Sequence, residues 1–185
     1  MGLAKLELGC GRCPTPGYLH QDVAGFPGMD FSCNPWEIPL GGGSLSEVMA
    51  VGVMEHLRFE EFDRTLRHVF SLLGEGGLFL FDIPDMAVWS EYLFNATHGQ
   101  SRKNPFSDDH VWRTFYGWQR WEGDEHKSGW TRDMLLPKFL GVGFEVVEEG
   151  SQIFTSRGVS RGRFSKPEDA HIYLALRKGR KCGQS

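Results

Sequence analysis

The stretch KLELGCGRCPTPGYLHQD, residues 5 to 22, restricts the fold of this chain more than any other. A short apolar run, Ala4–Leu8, passes directly into the turn Leu8-Gly9-Cys10-Gly11. Glycine in such a turn admits dihedrals closed to other residues and lets a ligand lie against the backbone. A dinucleotide fingerprint would need a third glycine opening a helix and an acid about 20 residues further on. Here Pro14 replaces that glycine, and Asp22 follows Gly11 by only 11 residues. Nine residues separate Leu8 from Tyr18 and five separate Val23 from Met29, whereas a parallel crossover usually takes a dozen or more. The helices between the first strands are therefore expected to be absent or reduced to single turns, with a short or irregular strand near Met29–Cys33. One face of that half of the sheet then needs another cover, either the segment Phe94–Trp130 or the partner subunit of a homodimer.

The remaining sequence alternates between the two regular periods. Strands are expected near Tyr18–Val23, Val48–Val53, Leu78–Ile83, Phe144–Glu148 and Ile172–Leu176. Phe59, Phe62, Leu66, Val69, Phe70 and Leu73 recur at helical spacing, and Gly74, Gly76 and Gly77 predict a left-handed C-terminal cap. A second helix is expected after Pro84, through Met86, Trp89 and Leu93. A third is expected over about Thr131–Leu140, capped by Thr131 and kinked or shortened by Pro137. Strand–helix alternation of this kind implies an α/β, doubly wound, mostly parallel sheet. Ligands of such sheets sit beyond the carboxyl ends of the strands at the topological switch point. That rule gathers Gly9–Arg12, Asp22, Gly52–His56 and Pro84–Asp85 around one crevice.

The ordered segments LELGCG, GYLHQDV, SLSEVMAVGVMEHL, LLGEGGLFLFDIPD and GFEVV resemble the successive motifs of class I S-adenosylmethionine-dependent methyltransferases, in their compact bacterial and phage form. The resemblance implies a Rossmann-like sheet with an antiparallel last strand and S-adenosylmethionine (or S-adenosylhomocysteine) as cofactor. It implies that Glu7 and Leu8 end the first strand, with Glu7 ordering the glycine loop and the methionine amino group. Gly9, Cys10 and Gly11 would form the turn against which the cofactor lies, and Asp22 would hold both ribose hydroxyls. Asn34 would stand near the adenine amine, with Pro35 or Trp36 supplying apolar ring contact. Gly52 and Val53 would face the methionine portion, and Glu55 and His56 match the family's Glu-His pair. Two departures affect loop stiffness: Glu75 stands at the usual proline of LLGEGG, and PLGGGSLSE lacks two carboxylates of the family's loop.

The acceptor is expected against an aromatic-rich lid or insert, residues 94–130, within one domain spanning 1–185. It carries Phe106, Trp112, Phe115, Tyr116, Trp118, Trp121 and Trp130, most of the tryptophans being expected to pack the insert onto the core. His110 and His126 each have acidic neighbours able to raise a histidine pKa, and with His56 they are the candidate general bases. For His56 a structural role, as a cap or packing group at a helix start, is favoured over a catalytic one. The expected reaction is methylation of a small molecule, a sugar or glycoconjugate among the options. The alternatives are a non-catalytic S-adenosylmethionine-binding module or an NAD- or nucleotide-binding oxidoreductase, the latter lacking both the third glycine and a hydride-handling pair.

Composition narrows the partners. A formal charge of −4 argues against a phosphate backbone, and the [DNS]-P-P-[YFW] signature of nucleic-acid methylation is missing around Pro84–Asp85. No run approaches 18 apolar residues, so no membrane span is expected. The four cysteines suit a reduced cytoplasm. Cys10 and Cys13 form a CxxC without a second pair or nearby histidine, so no metal site is expected from them.

Overall fold

The computed structural model describes residues 2–159 and 170–179; Cys182 lies outside them. Strands β1 (Ala4–Leu8), β2 (Leu19–Gln21), β3 (Leu45–Val51), β4 (Leu73–Pro84), β5 (Phe144–Glu149) and β6 (His171–Lys178) form one sheet of order β2-β1-β3-β4-β6-β5. The first four are parallel, and β6 runs antiparallel to both β4 and β5. The winding direction reverses between β1 and β3, so the switch point lies where Gly9 and Gly52 leave those strands. No helix occupies residues 9–44, as the short crossovers require. The strand expected near Met29–Cys33 is reduced to one parallel bridge, Gln21 to Phe31.

Leu6 and Leu8 face one side of β1 and join a core with Phe62, Leu66 and Val69 of α1 (Phe59–Leu72) and Phe139 of α4 (Arg132–Val142). On the other side Met49, Val51 and Leu80 pack against Ile153 and Phe154 of the short α5 (Gln152–Thr155), together with Tyr18. Over β1 and β3 this second face is not covered by residues 94–130, contrary to one expectation. The shortened loop covers it. Thr15 donates to both oxygens of buried Glu7, at 2.7 Å from its N–H and 3.0 Å from its hydroxyl. Tyr18 donates to Glu47, which also accepts from Lys5 and Arg157 at 3.2 and 3.0 Å. Buried carboxylates demand such pairing, and here each has it.

Two helix ends differ from expectation. After α1 the chain enters β4 through an extended Leu73, not a left-handed cap. The glycines serve a four-residue excursion instead: β3 pairs at Leu45 with Leu73 and next at Glu47 with Leu78. A Cβ on Gly74 would lie 2.9 Å from Cδ1 of the exposed Leu3, which would have to move aside. Helix α4 runs through Pro137 to a left-handed Gly143, and Thr131 caps it by accepting from the Met134 N–H. Helices α2 (Met86–Thr97) and α3 (Asp108–Tyr116) pack together around Trp89 and Val111, beyond the carboxyl ends of β3 and β4. Among the described residues no helix is long and apolar enough to cross a membrane.

Candidate functional site

The turn after β1 is built from the backbone outward. Gly9 has φ +57°, and a Cβ there would lie 2.4 Å from Val53 Cγ2. The turn after β1 therefore lies directly on the turn after β3, an approach only glycine permits. Buried Gln21 accepts from Gly9 N–H at 3.2 Å and donates to the Cys33 carbonyl at 2.6 Å. Cys10 N–H donates to the Gln21 carbonyl, and Cys10 itself is buried while Cys13 is exposed, without a disulfide. Asp22 closes the loop, its two oxygens accepting from Gly11 N–H and Ala24 N–H, both at 2.9 Å.

The turn after β3 is held from β4. Buried Asp82 accepts from Gly52 N–H at 3.0 Å and from His171 Nδ1 at 3.2 Å. Gly52 (φ +61°) leads through Val53 into a single 3-10 turn, Met54–His56. That turn is clamped to residues 125–128: Lys127 N–H and Ser128 N–H donate to the Glu55 carbonyl at 2.9 and 3.1 Å. His56 Nδ1 lies 3.1 Å from the Glu125 carbonyl, and His126 Nδ1 lies 2.6 Å from that of Thr114. The two rings meet edge to face at 4.8 Å.

Two clefts open beside these turns and share Arg12. The larger, about 490 Å³, has a floor of Gly9, Gly52, Glu55 and Asp82 and a wall of His110, Trp118, Arg120 and His126. The smaller, about 370 Å³, lies between Cys10–Pro14, His20 and the Phe26–Met29 segment. His110 stacks on Trp89 with its ring 7° from parallel. Its acidic neighbours are engaged elsewhere, Asp109 with Arg113 and Asp108 with the Ser101 hydroxyl. Asp124 forms a fork with Arg120; burial acts to raise its pKa, but the Arg120 hydrogen bonds outweigh burial and lower it. Gly117 allows this loop to fold back, since a Cβ there would strike the Asp124 carbonyl at 2.2 Å.

Of the residues singled out in the sequence, Gly9, Gly52, Glu55, His56, His110 and His126 meet at the larger cleft, while Cys10 and Gly11 line the smaller one. Leu8 is core and Val53 packs beneath Gly9. Glu7 is wholly buried under Thr15, its oxygens taken by the loop, and it lines neither cleft. Asn34, Pro35 and Trp36 line neither cleft: Asn34 donates to Glu37, and Trp36 lies under the Arg64 guanidinium of α1. The insert's tryptophans also depart from expectation, for of these only Trp130 is core while Trp112, Trp118 and Trp121 are exposed. Gln21, Asp82 and Asp124 were not legible as site residues. The one available signal was a buried-strand position occupied by a polar residue.

No family model matches the chain, and no curated protein sequence matches it. Its fold is shared with solved methyltransferases over nearly its whole length. The 1,6-didemethyltoxoflavin N1-methyltransferase of Burkholderia thailandensis, solved with 1,6-didemethyltoxoflavin and S-adenosylhomocysteine bound, aligns with TM-score 0.55 and 13% identity, over 96% of this chain and 71% of that one. A SAM-dependent methyltransferase of Archaeoglobus fulgidus gives 0.56 and 14%, over 96% and 87%. An S-adenosylmethionine-dependent methyltransferase of Mesorhizobium loti gives 0.55 and 18%, over 95% and 91%. At these identities the likeness is one of fold, and the fold is that of the class I methyltransferases.

Proposed function

We propose that this chain is an S-adenosylmethionine-dependent methyltransferase acting on a small-molecule acceptor. The observation that carries the reading is the fused pair of glycine turns at the switch point, Gly9 on Val53 and Gly52 on Asp82, opening onto a cleft of about 490 Å³. That volume is within the roughly 300–1,000 Å³ usual for small-ligand sites. The residues suit the cofactor: backbone at Gly9–Gly11 admits close approach, and Asp82 supplies negative charge for a cation. Asp22 keeps lone pairs for ribose hydroxyls beyond those used by Gly11 and Ala24.

Bound S-adenosylmethionine supplies an electrophilic methyl on a sulfonium, whose leaving group needs no proton. The protein's work is then to hold an acceptor in line and keep water out. Trp118 and Trp121 offer apolar faces for the acceptor, and Arg120 offers donors. His110, His126 and His56 ring the same space, where a histidine takes a proton from an acceptor that must lose one. This polar wall favours an acceptor site over a cofactor-binding module whose second half is plugged.

Calorimetry with S-adenosylhomocysteine tests the reading. Micromolar or tighter binding is expected, weakened roughly 10- to 100-fold in Asp22→Ala, the span set by about 1.5–3 kcal/mol for hydrogen bonds to a charged group. Unchanged affinity in a folded Asp22→Ala protein would remove the assignment.

A further inference from the structure

His56 and Glu125 lie 69 positions apart, yet the backbone brings the 3-10 turn and the 124–128 loop edge to edge. What converges there is chemically unusual. A carbonyl only accepts, so the Glu125 and Thr114 carbonyls fix the proton of each imidazole on Nδ1. In the neutral rings the lone pair is then on Nε2. Glu55 is 3% exposed, and its Oε2 has no hydrogen-bond partner among the described residues. One ligand atom from each of Glu55, His56 and His126 falls within 4.8 Å of the others.

A buried carboxylate oxygen left unpaired costs about 1–3 kcal/mol or more, and chains rarely carry that cost without use. We infer that Glu55, His56 and His126 form a binding site for a first-row divalent transition-metal ion such as zinc, cobalt or manganese. Two imidazoles and one carboxylate are a donor set for such ions, whereas magnesium and calcium prefer all-oxygen shells. The Nδ1 contacts to backbone carbonyls are the outer support that orients metal-binding histidines. Zinc-like bonds of about 2.0–2.1 Å put tetrahedral ligands roughly 3.4 Å apart, so the three side chains must draw in by about 1.4 Å. The clamp of Lys127 and Ser128 on the Glu55 carbonyl holds the backbone while they do.

Three protein ligands leave coordination positions open toward the cleft. Resting on the methyltransferase reading, the acceptor class that suits them is an oxygen nucleophile, a hydroxyl whose pKa falls when it joins the ion. His56 and His126 then orient the ion, and His110 is the remaining imidazole able to take the acceptor's proton. Ion binding itself stands or falls without methyl transfer.

The test uses the full-length chain without an affinity tag, stripped with chelator and titrated with cobalt(II), followed by visible absorption and by calorimetry. One equivalent with visible ligand-field bands is expected, zinc(II) displacing it. Glu55→Gln and His126→Gln should each weaken binding at least tenfold, with an unchanged far-UV circular dichroism spectrum; either one alone decides if the other does not fold. No ligand-field spectrum in the wild type, or the same affinity in a folded variant, overturns the site. Loss of S-adenosylhomocysteine binding with metal binding intact would reject the methyltransferase reading and leave the metal site standing.

Discussion

Replacing Gly9 by alanine should do two separable kinds of damage, and a second substitution tells them apart. Gly9 has φ +57°, in the left-handed region, where a residue with a Cβ loses roughly 1–2 kcal/mol. The new Cβ would also lie 2.4 and 3.0 Å from the two Cγ atoms of Val53. Relieving such overlap typically costs about 1–3 kcal/mol, so Gly9→Ala should destabilise by about 2–5 kcal/mol. Val53→Ala removes both offending methyl groups. Val53 is half-buried, so that change alone should cost about 1 kcal/mol at ~0.8 kcal/mol per buried methylene. In the double variant both Cγ contacts are gone and a tight 3.3 Å approach to the residue-53 Cβ remains, so the dihedral cost and the lost methyl groups dominate, about 2–3 kcal/mol in all. Urea unfolding at 25 °C with an unchanged m-value reads these differences as shifts in midpoint. Expected is a favourable coupling of about 1–3 kcal/mol. Additivity within about 0.5 kcal/mol would mean that the two turns do not touch as described, and the fused switch point would lose its physical basis.

The polar face of the sheet predicts an acid-dependent stability. Burial alone would raise the Glu47 pKa, but hydrogen bonds from Tyr18, Arg157 and Lys5 outweigh it and hold the carboxyl below its ordinary 4.5. Because the folded value is the lower one, this stabilisation is present above the unfolded pKa and is lost as pH falls through the folded one. Glu47→Gln should therefore be less stable than wild type at pH 7 and flatten the fall in thermal midpoint below about pH 4.5; a parallel loss at both ends would refute the pairing. At the alkaline end burial first, and then the Glu47 carboxylate, hold the Tyr18 phenol protonated well above its ordinary 10, so no phenolate absorbance from Tyr18 is expected at pH 11 in folded protein. Asp85 caps α2 by accepting from Ala87 N–H at 3.0 Å. Asp85→Ala should cost about 1 kcal/mol in urea unfolding, with Asp85→Asn close to wild type.

What was legible in the sequence follows from how locally each feature is determined. All six strands and three long helices announce themselves through period and punctuation, and the glycine turns could be located because each follows an apolar run. The helix ends were less legible, since Leu73 could enter β4 directly only because β3 lay ready to pair with it. Asn34 and Trp36 stand outside both clefts for a related reason. In the connection between β2 and β3 the Asn34–Glu37 turn folds onto α1, where Arg64 takes the Trp36 face. Nothing local could foretell that His126 meets His56. The meeting depends on Gly117 reversing the chain against the Asp124 carbonyl and on two N–H groups reaching the Glu55 carbonyl.

The brevity of residues 9–18 links these observations. A crossover helix would have laid apolar side chains over the β1–β3 face, and that face would read as alternating hydrophobic residues. With no helix there, the face carries Lys5, Glu7 and Glu47, charges that cannot be left bare under a loop. Thr15, Tyr18 and Arg157 neutralise or saturate them one by one. The substitution changes the kind of stability as well as its amount. An apolar cover tolerates swaps of similar volume, whereas a buried carboxylate that loses one donor retains its full desolvation cost. The loop that frames the cleft is therefore held by a few directional contacts, so its position should be more sensitive to single polar substitutions, Thr15→Val foremost, than a helix-covered sheet would be. That sensitivity comes with a compact site, in which Asp22 returns to the glycine turn within 11 residues and the same short segment contributes to both clefts.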